Sequence, residues 1–258
     1  MPHEAGLWYE WHGPDDGEVL ILSPGLGGSG AYWQPNLAAF AERYRVLLYD
    51  HRGTGRSDPD LPAEVSVGAM AEDVQALAEA LGVHQAHFIG HALGGLIGLE
   101  LALAGRLNIA KLVVVNGWKQ LHPHTARCFD LRLELLRKSG PEAYVKAQPI
   151  FLYPPWWIAS YYEELEADAV RQVAHFPAIE TVEKRVAAAR AWELWLDITG
   201  DVLVIGTEDD MLVPADCARE LAEALPLATL WPMKSGGHAC NVTNADIFNR
   251  LALIFLES

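Results

Sequence analysis

Four stretches of the chain carry residues whose types and order could do chemistry together. The run FIGHALGGLIG, residues 88–98, passes from an apolar segment through Gly90-His91-Ala92-Leu93-Gly94 into a helix-like one. Small residues at 90, 92, 94 and 95 suit a sharp strand-to-helix elbow, a turn that presents a nucleophile at its middle position. That position is Ala92, which has no nucleophilic atom. The segment TEDDMLVP, residues 207–214, puts an acid at the end of an apolar run. Asp210, four residues before Pro214, is the candidate carboxylate, with Asp209 as the alternative. In SGGHACNV, residues 235–242, His238 follows paired glycines in a loop and is the candidate acid–base group. A lone histidine is ordinarily structural. Here elbow, acid and histidine follow one another as 92, 210 and 238, the chain order of an elbow served by an Asp–His pair.

The fourth stretch is SPGLGGSG, residues 23–30, after the first apolar run. In such a plan the amides of Leu26 and Leu93 form an oxyanion hole. Its glycines also meet the G-x-G-x-x-G spacing of a dinucleotide loop. That reading needs an acid about twenty residues on at a strand end, a place filled only by Asp50 of YDHRGTGRSD. The oxyanion reading ranks above it, so no cofactor is expected. The elbow without a nucleophile has three explanations: an engineered inactivating substitution, a binding protein that lost catalysis, or a reaction with no covalent intermediate. Other candidates to line a pocket are Asn116, Trp118, His124 and Arg127. Arg127 is the expected carboxylate partner, its ordinary alternative being a surface ion pair. Cys240, two residues from His238, is either a displaced nucleophile of an esterase or a buried packing cysteine.

These residues need elements to hold them. Continuous Val-, Ile- and Leu-rich runs at 19–23, 45–50, 87–90, 111–116 and 202–206 read as strands buried on both faces. A further strand is expected at 228–231, and residues 7–12 are expected to form an antiparallel hairpin with the first run. Helices are expected at 67–81, 92–103, 215–225 and 245–256 between them, an alternation that means βαβ units. From about Trp118 to Leu196 the rhythm breaks. That interval reads as helices at 125–138, 141–148, 156–176 and 179–195, rich in Trp and Tyr. The expected class is therefore α/β: a mostly parallel central sheet with helices on both faces and an inserted helical cap. Together with the elbow–acid–histidine order, this resembles the α/β-hydrolase fold, with a core of residues 1–117 and 197–258 and a cap of residues 118–196.

Composition narrows the partners. The formal charge is −15, and no basic stripe is present to bind nucleic acid. The acid is spread along the chain, as solubility requires. The apolar runs are too short to span a bilayer, and the N-terminus lacks a basic start with an apolar core. Three cysteines without metal-ligand spacing fit a reducing cytoplasm, and no metal is expected. The expected partner is a small anionic substrate, with a homodimer left open.

Longer blocks are more specific. SPGLGGSGAYW, YDHRGTG, GHALG, VNGW, HTARCF, AQPIFLYP, AHF, DDMLVP and GGHACNVT together resemble the RutD family of the Rut pyrimidine-utilisation pathway over nearly the whole chain. The resemblance implies that Ala92 is natural, since GHALG is also the family pattern. Tyr153 and His175 fall in family blocks without an assigned role. In that pathway uracil is opened by oxidation, and cleavage of ureidoacrylate releases carbamate and aminoacrylate. The resemblance therefore implies a hydrolase of pyrimidine catabolism that speeds carbamate breakdown, or, as the alternative, aminoacrylate hydrolysis. A non-catalytic small-molecule binder is the reading from another class.

Overall fold

The continuous apolar runs become the middle of one eight-stranded sheet. The computed structural model describes residues 3–195 and 198–258. Its strands are β1 (His3–Glu4), β2 (Leu7–His12), β3 (Val19–Ser23), β4 (Arg45–Tyr49), β5 (Gln85–His91), β6 (Asn108–Val115), β7 (Asp201–Thr207) and β8 (Ala228–Met233). Their spatial order is β1-β2-β4-β3-β5-β6-β7-β8, and every pair from β4 to β8 is parallel. The hairpin expected between residues 7–12 and the first run does not form. β2 pairs antiparallel with β4 instead, because β4 and β5 occupy both edges of β3 and leave only the outer edge of β4 open.

The side chains alternate between two buried layers. Ile21, Leu47, Phe88 and Val114 face one core, and Leu20, Leu22, Ile89, Val113 and Ile205 face the other. The first layer is covered by α2 (Val67–Ala80), α3 (Leu93–Ala104) and α8 (Ala215–Ala224). The second is covered by α1 (Gln34–Ala41) and, at the end of the chain, α10 (Ala245–Leu256). Helix α1 has no counterpart among the sequence expectations. Burial on both sheet faces accounts for the lack of polar alternation in these strands.

Between β6 and β7 lie α4 (Pro123–Leu152), α5 (Pro155–Ser160), α6 (Tyr162–Ala174) and α7 (Ile179–Ala191). The break expected between Lys138 and Pro141 is a kink at Gly140, whose φ of 78° suits glycine. The single helix expected over 156–176 is two, divided at Tyr161 by a non-helical ψ of 30°. The division leaves the Tyr161 ring stacked on Trp157 at 4.0 Å. A core–cap boundary at 196/197 lies outside the described residues. Among the described residues no helix is long and apolar enough to cross a membrane. The short α9 (Cys240–Thr243) follows the His238 loop.

Candidate functional site

The elbow is built by glycines that leave no room. A Cβ on Gly90 would sit 2.2 Å from the Gly94 carbonyl oxygen, and one on Gly94 would sit 2.4 Å from that of Ser23. Helix α3 can therefore start hard against the end of β3, beside the loop that carries Leu26. Ala92 takes φ 47° and ψ −110°, a backbone state that costs a non-glycine residue about 1–3 kcal/mol. Its N–H donates to the Val115 carbonyl at 2.7 Å, and its carbonyl accepts from Leu96 N–H at 3.1 Å. The strained turn thus survives with no nucleophile to present.

Asp210 and His238 meet beside it. Asp210 Oδ2 lies 2.8 Å from His238 Nδ1, and both side chains are buried. Asp210 Oδ1 accepts the amides of Leu212 at 2.7 Å and Val213 at 2.9 Å, so its rotamer is held from the far side. Asp209 turns elsewhere: it accepts the amides of Gly236 at 3.2 Å and Gly237 at 2.8 Å and shapes the histidine loop. The His238 ring stands 4.6 Å, centroid to centroid, from His91, the residue before Ala92. His238 Nε2 makes no hydrogen bond among the described residues. Burial, with His238 close by, lowers the His91 pKa well below its ordinary value. His91 is then a neutral donor, and its Nε2 donates to the His238 carbonyl at 2.8 Å.

Several expected pocket residues have other work. Asn116, expected to bind substrate, is a brace instead. Its Nδ2 donates to the His238 carbonyl at 2.7 Å, and its Oδ1 accepts from Thr207 Oγ1 at 3.3 Å. Its amide is consumed in fixing the histidine loop. Arg127, expected to hold a carboxylate, lies on the exposed face of α4. It has no ion pair among the described residues and is not brought to His238. Helical spacing explains the outcome, since the residues of this turn that meet the acid loop are His124, Thr125 and Cys128. His124 Nε2 donates to the Met211 carbonyl and Thr125 Oγ1 to that of Leu212, both at 2.8 Å, which straps α4 to the acid loop. His175 is exposed at the end of α6. Trp118 is buried in the core. Tyr153 is half-buried 6.4 Å from the Trp157 ring, and burial raises its phenol pKa. Cys240 is 0% exposed, and burial pushes its thiol up to about 12, so it is a packing residue.

The Leu26 loop is a turn, closed by Gly28 N–H to the Gly25 carbonyl at 3.0 Å. The β3–β5 register pairs Ser23 with Gly90, which sets this turn beside the first amides of α3. Those amides have no acceptor within the helix, so the arrangement suits an anion at Leu26 and Leu93. Asp50 is occupied: it accepts Gly30 N–H at 2.8 Å and takes Arg56 through Nε at 2.9 Å and Nη2 at 3.1 Å. It has no oxygen to spare for a ribose. Among the described residues no cluster of three or more His, Cys, Asp or Glu could hold a metal ion. Sequence reasoning passed over Arg185, which lies behind the Leu26 turn. The available signal was a cation in the middle of the α7 stripe formed by Thr181, Val182, Val186, Ala188 and Ala189.

The family model of the alpha/beta hydrolase fold matches residues 18–245. A relative in Agrobacterium fabrum, named "Putative carbamate hydrolase RutD", is 47% identical over 97% of this chain and 98% of its own. A relative of the same name in Caulobacter vibrioides is 49% identical over 98% of this chain and 96% of its own. An enol-lactonase from Burkholderia xenovorans superposes with a TM-score of 0.86 at 26% identity, over 98% of this chain and 96% of that one. The alpha/beta hydrolase MGS-M2, from a deep-sea metagenome, shares the fold with a TM-score of 0.89 at 23% identity, over 98% of this chain and 94% of that one. The chain belongs to the α/β-hydrolase fold family and, within it, to the RutD family.

Proposed function

We propose that the site accelerates the breakdown of carbamate, released in pyrimidine catabolism, by general acid catalysis without a covalent intermediate. The observation that carries this reading is the buried Asp210–His238 pair beside an elbow whose nucleophile position is Ala92. Carbamate needs no attack at carbon. A proton on its nitrogen gives the zwitterion, the C–N bond breaks with its electrons going to nitrogen, and ammonia and carbon dioxide leave. One proton is consumed per turnover. Protonated His238 delivers it from Nε2, while Asp210 holds the ring in register and stabilises the imidazolium. A positioned acid of this kind contributes roughly a hundred- to ten-thousand-fold. The amides of Leu26 and Leu93 hold the carboxylate oxygens.

The test is ammonia release from freshly dissolved carbamate. The wild-type protein is expected to exceed the spontaneous rate, and His238→Ala to fall back to it. Equal rates for both, at the spontaneous level, would refute the proposal. Aminoacrylate generated in place by the preceding enzyme serves as the second arm. Faster loss there, with carbamate decay unchanged, assigns the same pair to the other product. Saturable binding with no turnover of either makes the protein a binder.

A further inference from the structure

The turn that carries the Leu26 amide is held from behind by three donors, one of them on a charged side chain. His51 Nε2 donates to the Pro24 carbonyl at 3.0 Å, and the His51 amide donates to the Gly28 carbonyl at 2.8 Å. Arg185 Nη1 donates to the Leu26 carbonyl at 3.4 Å. A trans peptide points its N–H opposite its C=O. With the Leu26 carbonyl drawn back to Arg185, the Gly27 N–H faces the other way. The Gly25 carbonyl is taken by Gly28, and that turns the Leu26 N–H outward in the same manner.

Arg185 comes from α7, is 1% exposed and gives its Nη2 to the Arg52 carbonyl at 2.5 Å. A Cβ on Gly28 would come within 2.5 Å of its Nη1, so the turn packs directly against the guanidinium. No ion pair among the described residues includes Arg185; of the groups that favour its charge, Tyr49 is a phenol and Asp50 is already bonded to Arg56 and Gly30. Burial lowers its pKa to about 10, which leaves it charged at neutral pH. An unpaired buried cation is an expensive thing for a fold to keep. It also opposes the protein's −15 charge from behind the turn where an anion would sit.

We propose that Arg185 is a positioning residue that aims the Leu26–Gly27 amides and supplies the counter-charge for a carboxylate-bearing ligand, so that the site selects a small monoanion over its neutral isostere. The inference deepens the carbamate reading and rests on its placement of the ligand at the Leu26 amide. At a local dielectric near 20, one charge several ångströms away still changes anion affinity by an order of magnitude.

Bicarbonate and urea are the probes, because each differs from carbamate by a single substituent and only bicarbonate is charged. Binding is followed by NMR titration of the backbone amides. Wild type is expected to bind bicarbonate, and Arg185→Met to weaken it by about tenfold or more while urea affinity stays within about twofold. Arg185→Lys, which keeps the charge, is expected to retain most of the bicarbonate affinity. Arg185→Gln replaces Arg185→Met should the latter fail to fold. No bicarbonate binding by wild type, unchanged bicarbonate binding in Arg185→Met, or parallel loss of both probes would overturn the proposal. Should carbamate turnover be absent while bicarbonate selectivity still depends on Arg185, the functional reading falls and this one stands.

Discussion

At position 92 a methyl group occupies the place where an elbow offers its nucleophile, yet the strained elbow and the Asp210–His238 pair are both present. Ala92→Ser should therefore restore a hydroxyl within reach of His238. The substituted protein is expected to be labelled at position 92 by a fluorophosphonate probe, and the label to vanish when His238→Ala is added. An unlabelled Ala92→Ser protein would mean that His238 Nε2 does not face the elbow. Cys240 is the contrasting residue, since a thiol pushed up to about 12 by burial holds almost no thiolate at neutral pH. The native protein is expected to leave Cys240 unalkylated by iodoacetamide at pH 8, and peptide mass analysis after brief exposure decides it.

Between elements, the site depends on how closely α3 approaches the end of β3. Gly94 lies at that contact, where a Cβ would meet the Ser23 oxygen at 2.4 Å and the Pro24 oxygen at 2.6 Å. Backbone cannot yield as a side-chain tip can. Gly94→Ala is expected to cost more than about 2 kcal/mol of unfolding free energy, read as a shift in urea midpoint. Gly27 is its control, at the tip of the Leu26 turn, where an added methyl would meet nothing within 4 Å. Gly27→Ala is expected to change stability by no more than about 0.5 kcal/mol. Equal midpoints for the two variants would show that the α3–β3 contact is not what limits this region. The same scale includes the cap. The Leu152 carbonyl at the end of α4 accepts the Ala239 amide at 3.0 Å, which ties α4 to the residue after His238.

Over the whole molecule, buried histidines held neutral shape the response to acid: His51 and His91, with His87, whose pKa burial also lowers. Burial and the charge of Arg185 lower the His51 pKa to about 3, and burial with His238 lowers that of His91 well below its usual range. The unfolded chain binds protons at both near their ordinary 6.5, and the folded chain does not. Their contribution is complete above that value and is lost progressively as the pH falls below it, for His51 down to about 3. The urea midpoint is expected to be level above about pH 7 and to decline steadily below 6.5. His51→Gln keeps a donor for the Pro24 carbonyl and removes one titration, so its acid decline should be shallower. An identical slope would remove His51 from the account.

Much of this was legible from residue type and order. Buried strands announce themselves by continuous apolar runs, because both sheet faces are covered. The elbow glycines and the 92, 210, 238 order are local patterns that any fold of this plan must carry. The choice of Asp210 over Asp209 was open in the sequence, since adjacent residues differ only in which way the loop turns them, and the structure sends one to His238 and the other to Gly237. Pairing of β2 with β4, the outward face of Arg127, the use of Asn116 as a brace and the burial of Arg185 behind the Leu26 turn were decided only by tertiary structure. Each depends on what a side chain or strand edge meets across the fold. Spacing along the chain fixes which face of an element a residue shares, but it carries no information about what that face will meet.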